Sequence, residues 1–316
     1  MIRRHPIAKL TVDGRSLTSA EAAVGFAEVR LTLGGGHDSA RIGIWSASKL
    51  AGSATAARAS IGLGDKDDVK DVWAGALTLV QSSDQRVVLE GLSHTSSLSR
   101  QRLTKTFQEQ SVEDIVRDLT GQVDIDEVDA SLQLPWYAVD TRRSVWSHLL
   151  DLARLIGADV ASSASGAVRF VPVRTTADIH TLRHGADIIR WTFGELTTID
   201  PLEVRPYGAA SEAGEQQWHW LLGDTGQSGS GATVPGAVRT KDAAEQSTQA
   251  RTGRATRQSH RATVLAVGAP DIRPGDVVKL SDVPGAPAEQ YRVTSLAHRL
   301  DGRRGFTTTL HMEGAA

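Results

Sequence analysis

The sequence predicts a mainly β protein in which two β-modules flank a small α/β module. Three observations carry this reading. Apolar and polar residues alternate through residues 7–95 and again from Trp191 onward. Between them, two stretches place apolar residues at helical spacing after Ser111 and Ser144. Residues 272–314 also echo residues 61–91. The first copy runs Ile61-x-x-Gly64-Asp65, Trp73, Ala76 to Val80, a polar turn at Ser82-Ser83-Asp84, and a strand ending at Glu90-Gly91. The second runs Ile272-x-x-Gly275-Asp276, Tyr291, Val293 to Leu296, a turn at Asp301-Gly302, and a strand ending at Glu313-Gly314. By itself the echo is weak, because I-x-x-G-D is a common way to begin a hairpin. It suggests two similar modules, each too small to close a core alone.

The first module is expected over residues 1–95. Ile7 to Val12 reads as a strand ended by Asp13-Gly14, a tight-turn dipeptide. Val29 to Leu33 alternates and stops at Gly34-Gly35-Gly36. The one place for a short helical insert is Ala47 to Ala59. The α/β module is expected over residues 96–190. Ser111 and Asp114 form a start similar to a capping box, Val112, Ile115, Val116 and Leu119 follow at helical spacing, and Gly121 stops the helix. A second helix starts at Ser144, with Val145, Leu149, Leu152, Ala153 and Ile156 on one face and Gly157 as its C-cap. A hairpin follows, Asp159 to Ser162 and Val168 to Val173, turning near Ser165-Gly166. The second β-module is expected over residues 191–316. Leu202 to Tyr207 and Gln216 to Leu221 read as strands, and Gly223 to Gly236 as a mobile loop. Lys241 to Gln258 has helix composition but almost no large apolar residue, so it packs through alanines or lies on a wet surface.

Composition narrows the function classes. The chain has 316 residues and a formal net charge of -2, so no global field draws it to nucleic acid or an acidic membrane. Cysteine is absent, which removes disulfides, thiolate catalysis and cysteine-based zinc sites, and fits a reducing cytoplasm. No apolar run follows the basic residues of the N-terminus, and none reaches the ~18–20 residues of a membrane span.

Candidate sites are few. His180 and His184, with Asp178 nearby, have the spacing of metal ligands on one helical turn, but Gly185 argues for a surface loop. Gly62 to Asp68 lacks the terminal glutamate and alternating carboxylates of a calcium loop and reads as a polar hairpin turn. Glu109 and Glu113 fit a solvated first turn of helix better than a glycosidase pair. No G-x-S-x-G elbow, H-E-x-x-H or Walker loop is present. Catalytic, cofactor and metal residues are therefore expected to be none. Trp218 and Trp220 share one face of a strand, either as an exposed anchor or as core packing. Arg251, Arg254, Arg257 and Arg261 follow at spacings of three, three and four, which put all four on one helical face. They suit protein carboxylates or solvent better than nucleic acid, since no aromatics interleave.

Taken together, these elements resemble the baseplate hub of contractile tails, the phage late control D family with the N-terminal part of VgrG proteins. The carrying residues are Trp73-x-Gly75 and Leu89-Glu90-Gly91; Leu98-Ser99-Arg100 leading to Lys105-Thr106-Phe107 and Ser111-Val112-Glu113-Asp114-Ile115-Val116; and the helix Ser144-Val145-Trp146-x-x-Leu149-Leu150-x-Leu152-Ala153-Arg154-x-x-Gly157, with its hairpin ending in Val168-Arg169-Phe170. The closing run is Pro274-Gly275-Asp276-Val277-Val278, Tyr291-Arg292-Val293, His298 and Gly305-Phe306-Thr307-Thr308. The resemblance spans roughly residues 60–316, and residues 1–60 fit by pattern only. It implies two β-barrel modules like those of tail tube proteins, and a homotrimer that adapts the six-fold tail tube to the three-fold spike. Implied partners are the tail tube protein, other baseplate proteins and a separate spike protein, since no spike sequence follows Ala316. It also implies assembly in the cytoplasm into a phage tail-like particle, no membrane contact in the resting state and no cofactor. A tail-associated cell-wall hydrolase and a ligand-binding β-module are the competing expectations.

Overall fold

The computed structural model describes residues 5–173, 179–197, 236–286 and 289–315. The expected strands at Leu202 to Tyr207 and Gln216 to Leu221, with Trp218 and Trp220, lie outside the described residues, as does the Gly223 to Gly236 loop up to residue 235.

Alternation sets the first strands. β1 (Pro6–Val12) turns Ala8, Leu10 and Val12 inward. Asp13 and Gly14 both take positive φ, 46° and 80°, the requirement of a type I′ turn, and return the chain as β2 (Arg15–Thr18). β3 (Val24–Thr32) and β4 (Ser39–Trp45) follow. The expected insert between Ala47 and Ala59 forms turns and no helix, with Leu50 pressed into the core. β5 (Arg58–Asp65), the long β6 (Asp68–Ser82) and β7 (Arg86–Ser93) complete this half. Gly62 to Asp68 spans the end of β5 and a tight hairpin turn at Lys66-Asp67 into β6, so the turn its composition predicts is shorter than the segment.

The chain then leaves the sheet through a 3-10 turn, His94–Ser99. β8 (Lys105–Ser111), α1 (Val112–Thr120), β9 (Ile125–Val128), β10 (Gln133–Val139), α2 (Val145–Ile156), β11 (Ala158–Ser162) and β12 (Val168–Pro172) build the α/β unit. The caps are those the sequence indicates. The Ser111 hydroxyl accepts from the Asp114 amide, and Gly157, at φ 72°, closes α2 by donating to the Ala153 carbonyl. Val112, Ile115 and Val116 of α1 and Val145, Leu149 and Leu152 of α2 meet Phe107 and Phe170 in a core of their own.

The α/β unit ends earlier than residue 190. β13 (Ile179–Arg183) already belongs to the large sheet, parallel to β16 (Val277–Ser281), and β14 (Ile188–Glu195) pairs with β15 (His260–Val267). α3 (Lys241–Gln258) precedes β15, and β17 (Gln290–Asp301) and β18 (Gly305–Gly314) end the chain. Among the described residues the large sheet has 13 strands, in the order β14-β15-β18-β17-β3-β4-β7-β6-β5-β1-β2, with β16 on β17 and β13 on β16. The two β-halves are thus not separate sheets. β17 pairs with β16 up to Arg292, bulges between Val293 and Ser295, and from Ser295 to Asp301 pairs with β3. One continuous core runs through both, from Leu10, Ile42 and Leu89 to Val264, Tyr291 and Leu310.

The echo is real in one part and accidental in another. β6–β7 and β17–β18 are both long antiparallel hairpins with a bulge in the first strand, between Leu77 and Leu79 and between Val293 and Ser295. Each carries a buried aromatic before the bulge, Trp73 or Tyr291. Ile61 pairs with Trp73, but the residue paired with Tyr291 is Val278, not Ile272. The second I-x-x-G-D lies ahead of its strand, whereas the first ends one.

Trp73 also explains Gly91 and contributes at Gly75, where a Cβ would first meet the Leu92 carbonyl oxygen at 2.1 Å. A Cβ on Gly91 would stand 2.6 Å from the indole Cη2, and one on Gly75 2.7 Å from Cζ2. The indole therefore lies on bare backbone at both. Gly91→Ala is expected to cost about 1–3 kcal/mol, as extra methyl groups in packed cores do. The readout is a lower urea midpoint at unchanged slope.

Titratable groups lie along the seam of β3, β4 and β17. Burial, then Arg273, holds the fully enclosed His298 imidazole at about 3. Burial, then Arg100, holds His37 at about 4. Both rings take a proton near their ordinary value only in the unfolded chain, so they make stability rise with pH up to about 6.5, from about pH 3 for His298 and from about pH 4 for His37. Asp38 acts in the opposite direction. Burial pushes its carboxyl up to about 7, against the Thr32 amide and Arg273. Folded protein keeps that proton from about pH 4 to about pH 7 while the unfolded chain has lost it, so this term falls as pH rises. Asp38→Asn should melt higher than the unmodified chain near pH ~8 and lose that advantage by pH ~4. An equal difference in Tm at both pH values would contradict this.

Candidate functional site

The site grows from the way a nearly apolar-free helix is held. Thr240 caps α3 by accepting from the Ala243 amide at 3.1 Å. Its buried residues are Ala243, Ala244 and Ser247, and it lies on α2. The approach is close, since a Cβ on Gly157 would be 3.0 Å from the Ala250 Cβ. Helix α3 thus packs through small residues, one of the two outcomes its composition allowed.

Charge fixes its C-terminal end. Arg257 Nε donates to Glu313 Oε1 at 3.2 Å, and Arg292 Nη1 donates to the same oxygen at 3.2 Å. Arg292 Nη2 also donates to Asp159 of β11. All four side chains are at most 16% exposed. Arg292 Nε finds no partner, and burial pulls its guanidinium below the usual range while Glu313 pulls it back. The network ties α3 to β17, β18 and the α/β unit at one point.

Beside it lies a cleft of about 830 Å³ between α2, α3 and β10. Five guanidinium groups line it, from Arg142, Arg143, Arg154, Arg251 and Arg254, against two carboxylates, Asp140 and Asp151. Arg142 forms a two-pronged pair with Asp140. Asp151 serves both Arg143 and Arg154, the latter at 3.5 Å. Arg251 and Arg254 have no carboxylate within ion-pair distance among the described residues. Arg254 is half-buried, and desolvation followed by Arg154 and Arg257 lowers its guanidinium, with Glu313 opposing. At the back of the cleft, the Tyr137 hydroxyl and His148 Nδ1 are 3.2 Å apart. Burial raises the phenol and lowers the imidazole, so both are neutral at physiological pH.

The structure sorts the sequence candidates. Arg251, Arg254 and Arg257 do lie on α3, but Arg261 is in β15, across from Glu313, because the helix ends at Gln258. Arg257 is occupied within the chain. His180 is not in a surface loop. It sits in β13, with Nε2 3.0 Å from Asp276 Oδ2, while His184 packs edge-on against Trp191. The two imidazoles thus make separate contacts, and among the described residues no cluster of His, Asp and Glu is placed to hold a metal ion. Glu113 pairs with Arg117 on the exposed first turn of α1. Sequence reasoning missed Arg142, Arg143 and Arg154 as neighbours of the α3 arginines. The signal available was the Arg142-Arg143 doublet before the Ser144 cap.

Comparison with solved structures places this fold. A tail protein from Neisseria meningitidis MC58 superposes with a TM-score of 0.74 at 13% identity, covering 98% of this chain and 96% of that one. The 43 kDa tail protein of prophage MuSo2 from Shewanella oneidensis gives 0.70 at 13% identity, covering 98% of each. The E. coli c3393 protein, a component of the type VI secretion system described as similar to the T4 tail proteins gp27 and gp5, gives 0.64 at 13% identity over 96% of this chain and 76% of that one. No protein-family profile matches the sequence, and no curated protein does. The chain has the mainly β fold of phage tail and VgrG-related proteins. No helix among the described residues is long and apolar enough to cross a membrane.

Arg292→Met should destabilise by about 3–5 kcal/mol, because it strands the largely buried Asp159 and leaves Glu313 with Arg257 alone. Arg254→Gln should stay within about 0.5 kcal/mol, since it removes a half-buried charge that has no carboxylate partner among the described residues and is repelled by its neighbours. Urea midpoints of the two variants check the contrast.

Proposed function

We propose that this chain is the structural baseplate hub of a contractile tail or contractile injection system. It acts as a homotrimer that adapts the six-fold tail tube to the three-fold spike. The observation that carries the reading is the full-length likeness in fold to tail proteins and to a secretion-system component. The paired hairpins β6–β7 and β17–β18 support it, since two similar β-modules per chain give six in a trimer. The division into a β-module, an α/β module and a second β-module follows the same reading. Its partners are the tube protein, a separate spike and other baseplate proteins, and its place is a phage tail-like particle assembled in the cytoplasm. The role is structural rather than catalytic. In its favour, three acids near the cleft and on α1 are paired: Glu113 with Arg117, Asp140 with Arg142, Asp151 with Arg143.

Light scattering on the purified chain should give the mass of a trimer, alone or on addition of the cognate spike, and the contact should be heterologous and closed by rotation. A monomer under both conditions, or cell-wall turnover by the purified chain, would overturn the reading.

A further inference from the structure

The cleft between α2 and α3 holds more positive charge than its own residues balance. Five guanidinium groups face two carboxylates, and those two are already engaged by Arg142, Arg143 and Arg154. Arg251 and Arg254 are left without a carboxylate among the described residues, and Arg254 feels Arg154, Arg257 and Arg251 around it. A guanidinium cannot shed its proton to relieve this. An anion seated between them can.

We propose that this cleft binds a short acidic peptide segment of a partner protein, with Arg154, Arg251 and Arg254 gripping its carboxylates. The size fits: about 830 Å³ is far more than one ion needs and lies within the range of sites that enclose a ligand of several residues' bulk. The chemistry fits, because the planar guanidinium fork matches a carboxylate in two parallel hydrogen bonds. A nucleic acid fits less well. Its bases need a free aromatic face, and the Trp136 ring at the cleft is already covered by Arg239, 4.5 Å from the ring centre. The proposal rests on the reading of the chain as a particle component only in taking the segment's source to be a neighbour in that particle. The apolar wall at Leu155 and Ala237 gives the segment's backbone and small side chains a surface to lie on.

The test is calorimetric titration of the full chain with a hexaglutamate peptide at low salt. Inorganic phosphate and oligothymidylate are run as parallel probes. Binding of the peptide is expected, weakening as salt is raised. The double variant Arg251→Gln with Arg254→Gln should weaken it by about tenfold or more, and Arg251→Lys with Arg254→Lys by several-fold, since charge remains but the fork is lost. Arg303→Gln with Arg304→Gln, in the exposed β17–β18 turn, should bind like the unmodified chain. If the glutamine pair fails to fold by thermal unfolding, the lysine pair carries the comparison. No peptide binding, equal binding by the cleft variants, or tighter binding of phosphate or oligothymidylate than of peptide would overturn the proposal. Light scattering on the same samples separates the two ideas. A monomer that binds the peptide through Arg251 and Arg254 removes the trimer and leaves the cleft. A trimer that ignores the peptide does the reverse.

Discussion

The contact on which the arrangement depends is the buried network of Arg292, Glu313, Arg257 and Asp159. Burying two cations and two anions gives little net stability, because desolvation offsets most of their attraction. It gives position instead. Helix α3 has no apolar stripe to seat it, and its small-residue contact with α2 fixes distance but not rotation. Arg257 fixes the rotation by holding Glu313 at the end of β18. Arg292 reaches from the same carboxylate to Asp159, which sets the α/β unit against the sheet. The arginine-lined cleft exists because this point holds its wall in place.

Local chemistry was legible wherever it was decided locally. The Asp13-Gly14 turn, the Ser111 and Ser144 caps, the Gly157 stop and the apolar faces of α1 and α2 follow from residues within a few positions of one another. What needed the fold was less visible. The spacing of Arg251, Arg254, Arg257 and Arg261 describes one helical face, yet the helix stops at Gln258 and the next residues join a strand. Arg257 looked free because its partner is 56 residues away in sequence. The His180 and His184 spacing suggested a turn, while the parallel pairing of β13 with β16 made a strand that no local signal announces. Arg142, Arg143 and Arg154 join the cleft only because α2 lies under α3.

The paired hairpins show a similar division between letters and geometry. The motif residues Trp73, Gly75 and Gly91 form a single packing unit, an indole lying on bare backbone. In the other half, Tyr291 is buried before its own bulge and stacks on Phe193, with ring centres 5.9 Å apart. The two halves thus repeat a device, an enclosed aromatic preceding a bulge in a long strand, more faithfully than they repeat residues. A bulge raises local twist, and in β17 it lets one strand change neighbours from β16 to β3.

That change of neighbours has a consequence for how the chain is made. Strand β3 comes early and its partner β17 comes nearly last, in a register that pairs Val29 with His298. On the ribosome, the edge of β3 stays bare until residues 295–301 have emerged. Pairings that close such long loops are slow and leave strand edges open to unwanted association meanwhile. The early half therefore waits, with one edge unpaired, for the final strands to arrive. A translation product cut short before residue 301 would expose a sticky strand rather than a smaller finished domain.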